Sequence, residues 1–152
     1  MRFLPTFLLL PVALAACGSK GAVSLVVGIE QPTVSLVDGA AGASLSGSFQ
    51  LELALGPEAS GSTHVTLGNF SLQTEAGAPL IEVLNLTSTP EFPIDVAKGD
   101  SQIARFTFNK DGVDRDEVCA GKVRIVGSVM DSIKGGTDPV SSDLIMPDCG
   151  AT

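Results

Sequence analysis

His64 is the only histidine in this 152-residue chain, and Ser60, Ser62 and Thr63 stand beside it. An imidazole near hydroxyls is the raw material of a hydrolase. It can serve as the base that takes a serine proton, provided an acid orients the ring. Those three groups meet only in a fold, and the chain has no Gly-x-Ser-x-Gly elbow to present a nucleophile. The expected role of His64 is therefore a polar residue at the start of a strand, with a hydrolase around it as the alternative.

The densest acidic segment runs from Asn109 to Glu117, Asn-Lys-Asp-Gly-Val-Asp-Arg-Asp-Glu. Calcium takes six to eight hard oxygens, and alternate residues of a short loop can supply several. Asn109, Asp111, Asp114 and Asp116 are the candidate ligands. The EF-hand spacing fails, because its first ligand would be Thr107 and its twelfth Val118, and Arg115 puts a competing charge inside the loop. A solvated hairpin turn is expected, with a calcium-dependent interaction module as the alternative. No other cofactor is implied, since the chain lacks a Walker loop, a dinucleotide fingerprint and a His-Glu-x-x-His helix.

The three cysteines are Cys17, Cys119 and Cys149. Cys17 closes a leader with a positive Arg2, an uncharged apolar stretch from Phe3 to Ala16, and two small residues before the cysteine. That stretch is shorter than the roughly 20 apolar residues a membrane span needs. Pro5 and Pro11 also argue against a packed core helix. Leu14-Ala15-Ala16-Cys17 resembles the lipobox of bacterial lipoprotein precursors. The resemblance implies recognition of Leu14, Ala15 and Ala16 by a signal peptidase and cleavage before Cys17. It further implies fatty acyl chains (a diacylglyceryl thioether and an acylated amino terminus) on Cys17. Gly18 rather than Asp follows the cysteine, which by the same resemblance points to the outer membrane. Residues 1–16 then form a signal peptide, 17–21 a lipid-anchored tether, and 22–152 the domain.

With Cys17 lipidated, Cys119 and Cys149 remain as a pair in an oxidising compartment, where a disulfide is the expected state. A thiol catalyst or metal site would want more: there is one histidine and no Cys-x-x-Cys. Loss of Arg2 with the leader leaves 8 basic against 17 acidic residues, a net charge of −9. Nucleic acid is excluded as a partner on that balance, since affinity there depends on neutralising phosphates. The expected partners are the membrane, through the acyl chains, and another envelope protein. Trp and Tyr are absent, which weakens the case for a carbohydrate- or protein-binding hot spot, since those residues are the commonest anchors at such surfaces.

About 135 mature residues suffice for one domain with a core. The patterning has period two. Leu45, Phe49, Leu51, Leu53 and Leu55 alternate with polar or small residues, Gly47 taking one inward place. Val23, Leu25, Val27 and Ile29 alternate in an earlier run that Gln31-Pro32 interrupts and Val34 and Leu36 extend. Val65 and Leu67 alternate, Gly68-Asn69 intervenes, and Phe70 and Leu72 resume in opposite phase, which is how a β-bulge reads in sequence. Further runs are expected at Leu80–Leu86, Glu91–Ala97, Ile103–Asn109, Lys122–Asp131 and Val140–Met146. Asn69-Phe70-Ser71 and Asn85-Leu86-Thr87 match the glycosylation sequon but read as ordinary strand residues, since the lipobox resemblance implies a bacterium. Turn punctuation at Asp38-Gly39, Gly56-Pro57, Lys98-Gly99-Asp100, Lys110-Asp111-Gly112 and Gly135-Gly136 separates the runs. Seven to nine short strands predict an all-β fold, an antiparallel β-sandwich of Ig-like architecture. The last two runs should pair around Gly135-Gly136, with Cys119 and Cys149 at the open end of that hairpin. The lack of a Cys in the Leu45–Leu55 run, and of Trp, argues against the immunoglobulin disulfide.

Overall fold

In a computed structural model, described for residues 24–39 and 42–150, two antiparallel sheets pack face to face. The first contains β1 (Leu25–Gly39), β2 (Gly42–Leu55), β6 (Leu86–Thr89) and β8 (Ser101–Val113), in the order β1-β2-β8-β6. The second contains β3 (Thr63–Leu67), β4 (Ser71–Thr74), β5 (Pro79–Ile81), β7 (Ile94–Val96), β9 (Val123–Asp131) and β10 (Thr137–Ser141). A single helical turn, α1 (Arg115–Val118), joins β8 to β9. The β-sandwich is thus built from ten strands, and β1, β2 and β8 are long rather than short.

The alternation read along β2 fixes which residues face inward. Leu45, Phe49, Leu51, Leu53 and Leu55 are all buried, as are Ala104, Phe106 and Phe108 on β8 and Val123, Ile125 and Val129 on β9. Phe49 stacks on Phe106 at 4.8 Å between ring centroids and on Phe70 at 5.6 Å, so the two sheets meet through aromatic faces. Offset pairs of this kind add to the area they bury.

Two glycines make room for these rings. A Cβ on Gly47 would lie 2.2 Å from Phe108 and 2.5 Å from the Thr33 carbonyl. One on Gly127 would lie 2.3 Å from the Phe70 ring.

β3 and β4 form one interrupted strand. Leu67 pairs with Val129 and Ser71 with Val126, so four residues on one side span three on the other. The extra residue falls at Gly68-Asn69, where the sequence places its bulge. β1 likewise passes through Gln31-Pro32 instead of breaking there. Gln31 adopts φ of 50° and the register slips by one between Glu30 and Thr33, which turns Val34 and Leu36 inward.

Two expected elements are different. The Leu80–Leu86 run is divided: β5 pairs with β4 in the second sheet and β6 with β8 in the first, so the chain crosses the core edge between them. The 109–117 segment is not a hairpin turn. Residues up to Val113 continue β8, and Asp114 then caps α1 by accepting from the Glu117 amide at 3.2 Å. An Asp with extended backbone at an N-cap satisfies one of the orphan donors that a helix start leaves open.

The last hairpin forms around Gly135-Gly136, but its second strand is Thr137–Ser141 against Val126–Met130 and not Val140–Met146, because pairing starts directly after the turn. Its turn is organised by Asp131, whose buried carboxylate accepts from the Ile133 and Lys134 amides at 2.9 and 2.8 Å. Beyond β10 the chain bonds to Val123 through Ile145 and then to β1, where Asp148 exchanges bonds with Val34 and Leu36. This segment closes one side of the sandwich by bonding to both sheets.

Candidate functional site

His64 lies on β3, half exposed, and its Nδ1 is 2.8 Å from the Asp95 carboxylate on the neighbouring edge strand β7. The Ser132 hydroxyl approaches the backbone of His64, accepting from its amide at 2.9 Å, and not the ring. Among the described residues, no hydroxyl bonds to the imidazole. The ring therefore has an acid partner but no nucleophile in hydrogen-bond reach.

Two of the four residues considered for calcium have other engagements, and the other two stand on separate elements. Asp111 accepts from the Ser44 hydroxyl at 2.7 Å, and Asp114 caps α1. Asn109 stands opposite Ser46 on the first sheet, and Asp116 is exposed on α1. Among the described residues, no three His, Cys, Asp or Glu side chains gather closely enough to hold a metal ion. The fold does not assemble the expected loop, because strand β8 draws its first half into a ladder and α1 turns its second half away.

Cys119 and Cys149 form the expected disulfide, with Cα atoms 6.2 Å apart. Cys119 ends α1 and Cys149 follows the segment bound to β1, so the bond staples the chain's end to the β8–β9 connection. Arg115 reinforces it. Its guanidinium donates to Asp38 Oδ1 at 2.7 Å and to the Cys149 carbonyl, tying α1 to the end of β1 and to the C-terminal segment. Leu14, Ala15, Ala16 and Cys17 lie outside the described residues.

The surface that sequence reasoning missed is the outer face of the first sheet. Register across the four strands sets Thr33, Ser48, Thr107 and Thr87 in one row. Two residues along, Ser35, Ser46 and Asn109 continue the pattern, with Asn85 just before β6 completing it. On β1 and β2 the hydroxyls pair with each other, Thr33 to Ser48 at 2.8 Å and Ser35 to Ser46 at 3.0 Å. Asn109 and Thr107 on β8, Thr87 on β6 and Asn85 just before it have no side-chain hydrogen bond among the described residues. The rows line a shallow groove of about 390 Å³, between the β1 bulge and the register shift where Ala43 and Leu45 meet β8. Bulges bend and twist a sheet locally, which accounts for a concavity between two of them.

Among the described residues, a shifted titration lies elsewhere. The Asp138 carboxylate, by its hydrogen bond and its charge, raises the Lys134 ammonium above its ordinary value. No family model, curated protein or solved structure significantly matches the chain.

Proposed function

We propose that the chain is a lipid-anchored, non-catalytic binding module of the bacterial outer membrane, presenting its first sheet to another envelope component. The observation that carries this reading is where the domain begins. β1 starts at Leu25, eight residues after Cys17, and Leu25 pairs with Leu55 at one pole of the molecule. Eight extended residues reach at most about 28 Å. Acyl chains on Cys17 would hold that pole to the bilayer. The opposite pole carries the Gly39–Gly42 hairpin end, the disulfide and α1. The groove lies between the poles, on the side of the molecule. One acyl chain binds a membrane only marginally, whereas several on one residue make release negligible.

Metabolic labelling with palmitate tests the anchor. The parent chain should carry label and sediment with outer membranes. Cys17→Ser should lose the label, and a Cys17→Ser chain retained like the parent removes the reading. The non-catalytic part is tested at His64. His64→Ala should leave partner capture by crosslinking unchanged, and a hydrolytic activity lost in that variant would favour the hydrolase instead.

A further inference from the structure

The groove on the first sheet is a neutral window in an acidic molecule. The chain has a formal net charge of −8 and 17% charged residues, yet none of the residues lining the groove is ionisable. Ions and nucleic acids need charge they would not find here. A protein partner wants an apolar centre with aromatic or aliphatic anchors, and the groove offers hydroxyls and amides instead. A small apolar ligand wants an enclosed apolar pocket.

What the groove does supply is paired donors and acceptors in a regular grid. Neighbouring strands lie about 4.8 Å apart and alternate residues along a strand about 6.7 Å apart. Asn109 and Asn85 flank one side of a block and Thr107 and Thr87 the other. Each amide offers a donor and an acceptor on adjacent atoms, and each hydroxyl offers both from one oxygen. Vicinal diols present the same alternation. β1 and β2 contribute hydroxyls already bonded to each other, which hold that wall in place. Among the described residues the four side chains without a side-chain partner are Thr107 and Asn109 on β8, Thr87 on β6 and Asn85 just before it.

We propose that this groove binds a neutral glycan strand through Asn85, Thr87, Thr107 and Asn109. The proposal rests on reading the domain as a binding module and is independent of the anchor at Cys17. Without an aromatic platform, each sugar is held by hydrogen bonds alone. Affinity for a short oligomer is therefore modest, and several domains on one polymer would act together.

The test uses the full chain purified in a zwitterionic detergent, since a sugar-based one would compete. Cellohexaose and chitohexaose are titrated by calorimetry or NMR, with hexagalacturonate as the charged comparison. Saturable binding of a neutral hexamer, and none of the charged one, is expected. Thr107→Val together with Asn85→Ala should weaken it about tenfold, because two hydrogen bonds of about 0.7 kcal/mol each are lost. Thr137→Val on the other sheet should leave it unchanged. Asn85→Ala alone, outside any strand, covers the case in which the double variant fails to fold. No saturable binding at millimolar hexamer, or binding indifferent to both groove variants, overturns the proposal. Mass analysis of the hexamer separates this from the reading beneath it. An intact hexamer that never bound removes the glycan and leaves the binding module, whereas a shortened hexamer shows that the module is an enzyme.

Discussion

Gly47 and Phe108 show how one missing side chain can decide a core. Period two already places Gly47 inward on β2, but only the fold shows what occupies the space. The Phe108 ring fills the position a Cβ would take, and the Thr33 carbonyl closes the other side. Gly47→Ala must displace a ring or a backbone and should cost about 1–3 kcal/mol, read as a lower urea midpoint. Combined with Phe108→Leu, the loss should be less than the sum of the two, since the smaller side chain frees the space. Strict additivity would mean that the ring is not what the methyl meets. Lys134 gives a second prediction, in pH. Its folded pKa is raised above the unfolded value of about 10.5, with the Asp138 hydrogen bond as the main cause. Stability from this pair is therefore fully present below the unfolded value and is lost as pH rises through the folded one. Melting curves of the parent and Lys134→Met should keep a constant separation at neutral pH and converge in strong alkali. The group is exposed, so the separation should be small.

Elements whose pairing is local were legible in the sequence, and those whose pairing is remote were not. The β9–β10 hairpin is marked by its own Gly135-Gly136 turn, and the bulge at Gly68-Asn69 by a phase slip within a few residues. Leu80–Leu86 looked like one strand because hydrophobicity cannot say which sheet each half joins. Asn109–Glu117 looked like a loop because its turn residues are real, but β2 supplies a ladder that carries β8 on to Val113. The groove was hidden for the same reason: its rows exist only once β1, β2, β8 and β6 are in register. In isolation Asn85-Leu86-Thr87 is an ordinary polar-apolar-polar strand. The disulfide was legible from cysteine count alone, though not its second role. Cys119–Cys149 and Arg115 jointly hold the segment that bridges the sheets at Val123 and at Val34. Replacing both cysteines by Ser should cost about 3–4 kcal/mol, from the freedom of a loop with a separation of 30 residues in the unfolded chain. Amide exchange should locate the effect. The Ile145, Asp148 and Leu36 amides should lose protection before the core of β2 does, and uniform loss across the sandwich would contradict a local clasp.

The whole molecule has a long axis, and its two ends differ. Fourteen steps along β1 from Leu25 to Gly39 span about 46 Å at strand rise. At the Leu25 end the first sheet exposes Val26 and Ile103, each about half accessible, beside Ala54 and Glu52. Acidic residues crowd the far end, Asp111, Asp114, Asp116 and Glu117 among them. An anionic headgroup layer repels a chain with a formal net charge of −8, and repels the far end whenever the molecule tips toward the surface. If acyl chains at Cys17 hold the near end, charge and tether together favour a molecule that stands off the bilayer with its groove turned sideways. Fluorophores can measure this, since with Cys17 acylated and the other two cysteines bonded, one introduced cysteine is the only free thiol. Ser101 and Lys110 lie on β8 about 30 Å apart along the strand, Ser101 opposite Ala54 at the Leu25 end and Lys110 opposite Leu45 beyond the groove. A headgroup quencher should dim a label at position 101 strongly and one at position 110 little. Raising the salt should narrow the difference, because screening weakens the repulsion that keeps the far end away. Equal quenching at both positions in low salt would mean that the domain lies along the bilayer, with its long axis parallel to the surface.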